Sequence, residues 1–197
     1  RPGPATGLPT RTEQGDLNLA IYAGHGEFPR AVFAPGTLED AFELTRRAFD
    51  IADRFQVPVF VLTDQYLMDL YYDTEPFSVP DKPVQRHIVK TAAAYKRYSF
   101  TKNGVSPRGV PGHGEGLVCV DSDEHDESGH ITESMTVRTD MHDKRLIKGM
   151  LLEEAALPPV LFGEKECRLL VVCWGSTFPV VKEAVELIDA DDISAWR

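Results

Sequence analysis

Two arginines, three threonines and two glycines crowd the first twelve residues, RPGPATGLPTRT. Arg1 and Arg11 present planar guanidinium forks that match a carboxylate or a phosphate through paired hydrogen bonds. Thr6, Thr10 and Thr12 add neutral hydroxyls, and Gly3 and Gly7 let backbone come close to a ligand. The set suits the holding and aiming of a small anion. Composition alone favours a blander reading, a Pro-rich connector leading into a capped helix, because such loops are common.

Three other groups carry residue types with chemical capacity. His25-Gly26-Glu27 stands just before an apolar run and can orient a ligand or relay protons; an ordinary turn with His25 bonded to nearby backbone is an equal alternative. His125, Asp126, Glu127 and His130 invite a metal reading, but the spacing is not HExxH and no helix aligns the two histidines. A solvated acidic loop is expected there, with no metal. Gly175-Ser176-Thr177 lies between a strand and a helix and lacks a full phosphate-binding glycine pattern, so a tight turn is expected. Tyr66, Tyr71, Tyr72 and Phe77 read as core or interface packing.

The elements that must position these groups follow from periodicity. Residues 1–10 are loop, and a helix capped by Thr12 is expected to run to Ala23 and stop at Gly24. AVFA (31–34) and VPVFVL (57–62) are continuous apolar runs of the kind found in strands buried on both faces. Between them Thr37 caps a helix through Phe55, with Glu39 and Asp40 on its first turn. Its apolar stripe is read as Leu38, Ala41, Phe42, Thr45, Ala48, Phe49, Ala52 and Phe55. Strand, helix and strand make a parallel βαβ unit. Residues 69–116 lose all periodicity, which marks a functional or inter-domain segment. LVCV (117–120) is expected to be a strand, 140–156 a helix, RLLVVCW (168–174) a buried strand and 179–188 a helix. That last βα unit has no partner strand in this reading, so Val171, Trp174 and Leu187 should lack cover. The chain starts Arg1-Pro2-Gly3 and stops at Arg197, and each end reads as the middle of a domain.

Composition narrows the function classes. With 31 acidic against 21 basic residues and a net charge of −10, the chain is a poor match for nucleic acid. No apolar run reaches the roughly 18–20 residues that cross a bilayer. Cys119, Cys167 and Cys173 form no CxxC pair, so neither an iron–sulfur cluster nor a structural zinc is expected in this chain. Free cysteines fit a reducing cytoplasm.

RPGPATGLPTRTEQGDL resembles the R-G-G-P-S-T-G-L-P-T-x-T-E-Q-x-D-L signature of 2-oxoacid:ferredoxin oxidoreductase α subunits. AGHGEFPRAVFAPG (23–36) resembles that family's next segment, and NGVSPRGVPG (103–112), VDSDEHDESGHITE (120–133) and LLVVCWGST (169–177) are similar to family segments in the same order. The resemblance implies a thiamine-diphosphate enzyme that decarboxylates a 2-oxoacid, passes electrons to ferredoxin through iron–sulfur clusters and forms an acyl-CoA. It implies that the α subunit faces the aminopyrimidine end of the cofactor, while a partner β subunit supplies the diphosphate and Mg²⁺ site. Further γ and δ subunits occur in such complexes. By the same resemblance Arg1 pairs with the substrate carboxylate, Thr10 and Thr6 stand at the substrate, and His25 and Glu27 belong to a candidate active-site loop. No catalytic residue is implied in this chain, since the acid that activates the aminopyrimidine precedes the signature. The sequence departs from the pattern at Pro2, Ala5 and Ala23; Ala5 lacks a hydroxyl and Pro2 stiffens the residue beside Arg1.

The fold expected on this basis is α/β. Residues 1–68 form the C-terminal half of a thiamine-diphosphate, pyrimidine-type parallel-sheet domain, 69–116 a linker or long loop, and 117–165 a strand, acidic loop and helix. Residues 166–197 form the start of a transketolase C-terminal-like α/β domain. The wording of the blocks leans toward 2-oxoglutarate as substrate. The competing readings are a non-enzymatic acidic α/β interaction domain and a metal-dependent hydrolase. The order of five blocks favours the oxidoreductase over both.

Overall fold

The computed structural model describes residues 12–26, 28–79, 81, 84–188 and 192–197. The βαβ unit is present as expected. Strands β1 (Ala31–Phe33) and β2 (Val59–Val61) pair in parallel, Ala31 opposite Val59 and Phe33 opposite Val61. Helix α2 (Leu38–Phe55) joins them. Thr37 caps it, its hydroxyl accepting from the Asp40 N–H at 3.1 Å. The helix ends where Gln56 turns left-handed at φ 55° and its N–H closes on Ala52 O. The Tyr72 hydroxyl adds a second cap, accepting from Leu38 N–H at 2.7 Å and donating to Glu39 at 3.1 Å.

The buried face of α2 is rotated from the expected stripe. Ala48, Ile51 and Phe55 are buried, whereas Phe49 is 70 % exposed and Thr45 is exposed. The inward row is therefore spaced four, three and four residues apart from Leu44 to Phe55. Ile51 and Phe55 pack with Val57 and with Leu152 of helix α4 (Met135–Glu154), and Phe33 and Val59 close the cluster from the sheet.

Helix α1 (Asp16–Tyr22) is shorter than expected and has no side-chain cap; Gly15 precedes it. The short helix α3 (Gln65–Asp69) was not anticipated. Residues 117–120 form no strand, because no neighbouring segment offers them a ladder of backbone partners. Helix α4 starts five residues earlier than its apolar pattern suggests, at a cap in which Ser134 Oγ accepts from Val137 N–H at 3.4 Å.

The described residues from 70 to 134 form no helix or strand, yet they are tied down. Asp53 on α2 receives Arg108 at 2.5 Å and Arg86 at 3.0 Å, and Gln56 Nε2 donates to Ser106 O at 2.7 Å. Single bridges join Ile88 to Arg108, Thr91 to Gly114 and His125 to Ile131.

The last forty residues hold a three-stranded sheet ordered β3-β5-β4. Strand β4 (Leu169–Val172) runs parallel to β5 (Ile193–Trp196), with helix α5 (Thr177–Ile188) between them; β3 (Leu161–Phe162) pairs antiparallel with β5. The partner strand absent from the sequence reading is thus β5. Strand β4 is not buried: Leu169 is 51 % and Val172 72 % exposed. Trp174 and Leu187 are exposed and Val171 is half-buried, so cover is short at the expected positions. Arg197 meets Asp40 at 2.5 Å, and a Cβ on Gly36 would stand 2.7 Å from Gly175 O, so the two sheets approach through their turns. Among the described residues no helix is long and apolar enough to cross a membrane.

Candidate functional site

Because β1 and β2 are parallel, their carboxyl ends open on one edge. Ligands of open α/β sheets gather at such edges. Here Pro35 follows β1, Leu62-Thr63-Asp64 follow β2, and a cleft of about 800 Å³ opens between them, α1 and the β4–α5 turn. Its apolar lining comes from Leu17, Leu62, Met68 and Trp174. Its acidic lining comes from Glu13, Asp16, Asp64 and Asp69, and no Lys or Arg among the described residues joins them.

Two hydrogen-bonded ties shape the cleft. Asp64 caps α3, with Oδ1 accepting from Leu67 N–H at 2.9 Å, while its other oxygen accepts from the Ser176 hydroxyl of the β4–α5 turn. Thr12 Oγ1 accepts from the Gln65 N–H at 3.1 Å. The expected cap of α1 is therefore corrected: Thr12 binds the N-terminal segment to α3 instead. Thr12, Glu13 and Gln14 all line the cleft. The Asp64–Ser176 pair was not singled out from sequence. Asp64 at the head of a short apolar helix is a readable cap signal, but nothing local points to Ser176.

Removing Asp64 should cost both ties. Asp64→Ala is expected to lower unfolding stability by about 1–3 kcal/mol and Ser176→Ala by about 1 kcal/mol. The double variant should be less damaging than the sum by at least about 0.5 kcal/mol in urea titrations. Strict additivity would show that the pair does not couple the two turns.

Arg1, Thr6, Thr10 and Glu27 lie outside the described residues. His25 is exposed in the bend after α1, at the opposite end of that helix from the cleft. Nearby Arg30 donates to Ala20 O at 3.2 Å and to Ala23 O, closing the helix terminus, and lies 4.2 Å from the Phe28 ring.

The acidic loop is not simply solvated. Asp126 accepts from His130 N–H at 3.1 Å and Ser128 N–H at 2.8 Å, and these backbone donors hold its carboxyl below the usual range. Glu127 accepts from Phe100 N–H at 3.0 Å and Lys96 at 3.2 Å, with its carboxyl lowered chiefly by the Phe100 N–H. Burial pushes Glu124 up, but Arg145 at 2.9 Å and Arg138 at 3.3 Å outweigh it and keep the carboxyl low. His125 bonds Asp123 O through Nδ1 at 2.9 Å and sits 3.8 Å from the Tyr98 ring. No group of three or more His, Cys, Asp or Glu able to hold a metal occurs among the described residues. Of the four aromatics read as packing, Phe77 stacks on Phe42 at 4.8 Å, whereas Tyr66 and Tyr71 are exposed.

Comparison with known proteins adds a second line. Residues 1–144 match the family model described as pyruvate flavodoxin/ferredoxin oxidoreductase, thiamine diphosphate-binding. The chain is 37% identical over 195 residues to 2-oxoacid:ferredoxin oxidoreductase 1, subunit alpha, of Sulfurisphaera tokodaii, covering 94% of this chain and 30% of that one. It is 31% identical to 2-oxoglutarate synthase subunit KorA of Archaeoglobus fulgidus, covering 99% and 49%. The fold matches a 2-oxoglutarate:ferredoxin oxidoreductase from Magnetococcus marinus, solved with 2-oxoglutarate, coenzyme A and succinyl-CoA bound, with a TM-score of 0.81 and 31% identity over 100% of this chain and 35% of that one. The chain therefore spans about a third to a half of the length of these relatives.

Proposed function

Since the chain belongs to the pyruvate flavodoxin/ferredoxin oxidoreductase family, through its thiamine diphosphate-binding region, we propose that it forms part of the α subunit of a 2-oxoacid:ferredoxin oxidoreductase. The whole enzyme would convert a 2-oxoacid, 2-oxoglutarate in first place, to acyl-CoA and CO₂ and pass the electrons to ferredoxin. The observation that carries this reading is the cleft at the carboxyl ends of β1 and β2, lined by Thr12, Glu13, Gln14, Asp16 and Leu17 of the signature segment.

The described lining fits one half of thiamine diphosphate. Leu17, Leu62 and Met68 suit the faces of a flat heterocycle, and the carboxylates and hydroxyls suit its amino and ring nitrogens. The same lining is wrong for a diphosphate, which four carboxylates would repel. The diphosphate and Mg²⁺ are accordingly assigned to a partner β subunit, and the iron–sulfur clusters to partner chains. The cofactor, when bound, supplies the electron sink for decarboxylation. This chain's residues bind and orient: Arg1 takes the carboxylate, Thr10 and Thr6 hold the substrate from the same loop, and the apolar walls thin out water. His25 and Glu27 remain a candidate loop for the whole site. Residues 166–197 are assigned to the start of a transketolase C-terminal-like domain, and the enzyme to the cytoplasm.

Reconstitution tests the reading. The isolated 197-residue chain should show no decarboxylation of any 2-oxoacid and only weak thiamine diphosphate binding. The full α subunit assembled with its β partner should reduce ferredoxin with 2-oxoglutarate faster than with pyruvate. Turnover by the chain alone would remove the shared-site reading. An assembled, cofactor-loaded complex inert toward every 2-oxoacid would remove the function.

A further inference from the structure

A second cavity, of about 300 Å³, lies at the opposite end of the βαβ unit from the cleft, where Gln56 leaves α2 and leads into β2. Arg97, Lys144, Arg145 and Lys148 line it, with His125, and no carboxylate among the described residues does. Such a concentration of cations is unexpected in a chain with net charge −10.

Local architecture accounts for only part of this charge. Arg145 is neutralised by Glu124. Lys148 donates to Gln56 O at 2.9 Å, which satisfies a carbonyl at the end of α2. Lys144 is 8 % exposed and spends one of its three donors on Tyr98 O at 2.7 Å. Arg97 only stacks on Tyr98 at 5.0 Å. Arg97 and Lys148 thus have no carboxylate partner among the described residues, and Lys144 has only the field of Glu127, which is already bonded to Lys96 and Phe100. Burial first, and then the neighbouring cations, push both lysines down to about 8. The neighbouring wall packs directly on the backbone of α4: a Cβ on Gly104, at φ 76°, would stand 2.5 Å from Lys144 O and 2.8 Å from Lys148 N. Charges confined this way and left unpaired are costly unless an anion completes them.

We propose that the cavity bounded by Arg97, Lys144, Arg145 and Lys148 is a binding site for a phosphate group. Its volume is that of roughly ten waters, enough for the group and a few bridging waters. Arg97 supplies a planar fork and the two lysines point charges, the division of labour expected for a tetrahedral oxyanion. The site is independent of the cleft and of the reaction assigned to it.

The test is calorimetric titration of the intact enzyme with inorganic phosphate, after saturation with thiamine diphosphate and Mg²⁺ so that the cofactor site is filled. One saturable site per copy of this chain is expected, weakened tenfold or more by Arg97→Met and by Lys144→Met. Lys182→Met, remote and already paired with Glu186, serves as control and should bind as the wild type does. If Lys144→Met fails to fold, Arg97→Met decides alone, because that side chain makes no hydrogen bond among the described residues. Phosphate should also protect Lys144 and Lys148 from acylation, read by peptide mass mapping. A parallel titration with adenosine 5′-diphosphate separates the sources: tenfold tighter, competitive binding marks a phosphate carried on a nucleotide, and equal or weaker binding marks the free ion. Absence of a saturable site up to about 10 mM, or a loss under tenfold in Arg97→Met, overturns the proposal.

Discussion

Replacing Arg1 by Ala in the complete complex is expected to lower kcat/KM for the 2-oxoacid by roughly 30- to 5,000-fold. The reason is electrostatic. The described walls of the cleft carry four carboxylates and no cation, so a substrate carboxylate entering it needs a positive partner from elsewhere. Arg1 stands in sequence eleven residues before Thr12, which lines the cleft. Removing a hydrogen-bonded charge partner from a partly desolvated site costs about 2–5 kcal/mol, which converts to that range of rates. Lys should rescue in part, since it keeps the charge and loses the fork. Thr10→Val should cost less, about 1–2 kcal/mol, because a neutral hydroxyl bond is weaker. Thiamine diphosphate affinity should hardly change in any of the three. An Arg1→Ala enzyme within twofold of wild type, or one that loses cofactor and keeps substrate affinity, would return the segment to a Pro-rich connector.

Gly129→Ala is expected to lower the stability of the protein by about 2–5 kcal/mol, against about 1 kcal/mol for Gly112→Ala. Both glycines have left-handed backbones, φ 92° and φ 79°. A Cβ at Gly112 meets nothing within 4 Å, so only the backbone preference is lost. A Cβ at Gly129 collides with the Cys119 carbonyl, 2.7 Å from its carbon, and the loop from 121 to 133 would have to lift. That loop carries Glu124 to Arg138 and Arg145, and Glu127 to Phe100, so lifting it also undoes those bonds. Urea unfolding midpoints compare the two variants directly. Equal losses would mean that the acidic loop is loosely attached and its network contributes little.

The acidic run illustrates why some of the site was not legible. Its charges look like a solvated surface because their partners lie elsewhere in the chain: Arg138 and Arg145 on α4, Lys96 before Tyr98. The same holds for Thr12, whose hydroxyl passes over its own helix to a partner fifty-three residues on, and for Ser176, whose partner Asp64 is 112 residues away. Side-chain partners at that separation leave no periodic trace. On α2, by contrast, the cap at Thr37 and the acidic first turn depend on residues within one turn, and both were readable.

What the sequence determined by itself was the parallel βαβ unit, the cap of its helix and the family signature, because continuous apolar runs, capping residues and turn formers act over a few neighbours. The tertiary structure decided which apolar runs became strands. LVCV found no partner and stayed irregular, while ISAW, short and set between two aspartates and a terminal arginine, became the central strand β5 because β3 and β4 stand on either side of it. It also decided that Ile51 and not Phe49 faces the core, and that Arg97 meets Lys144, Arg145 and Lys148 of α4 around one cavity. A strand needs a second backbone to bond to, and a charge cluster needs the chain to fold back on itself, so neither can be read from local pattern alone.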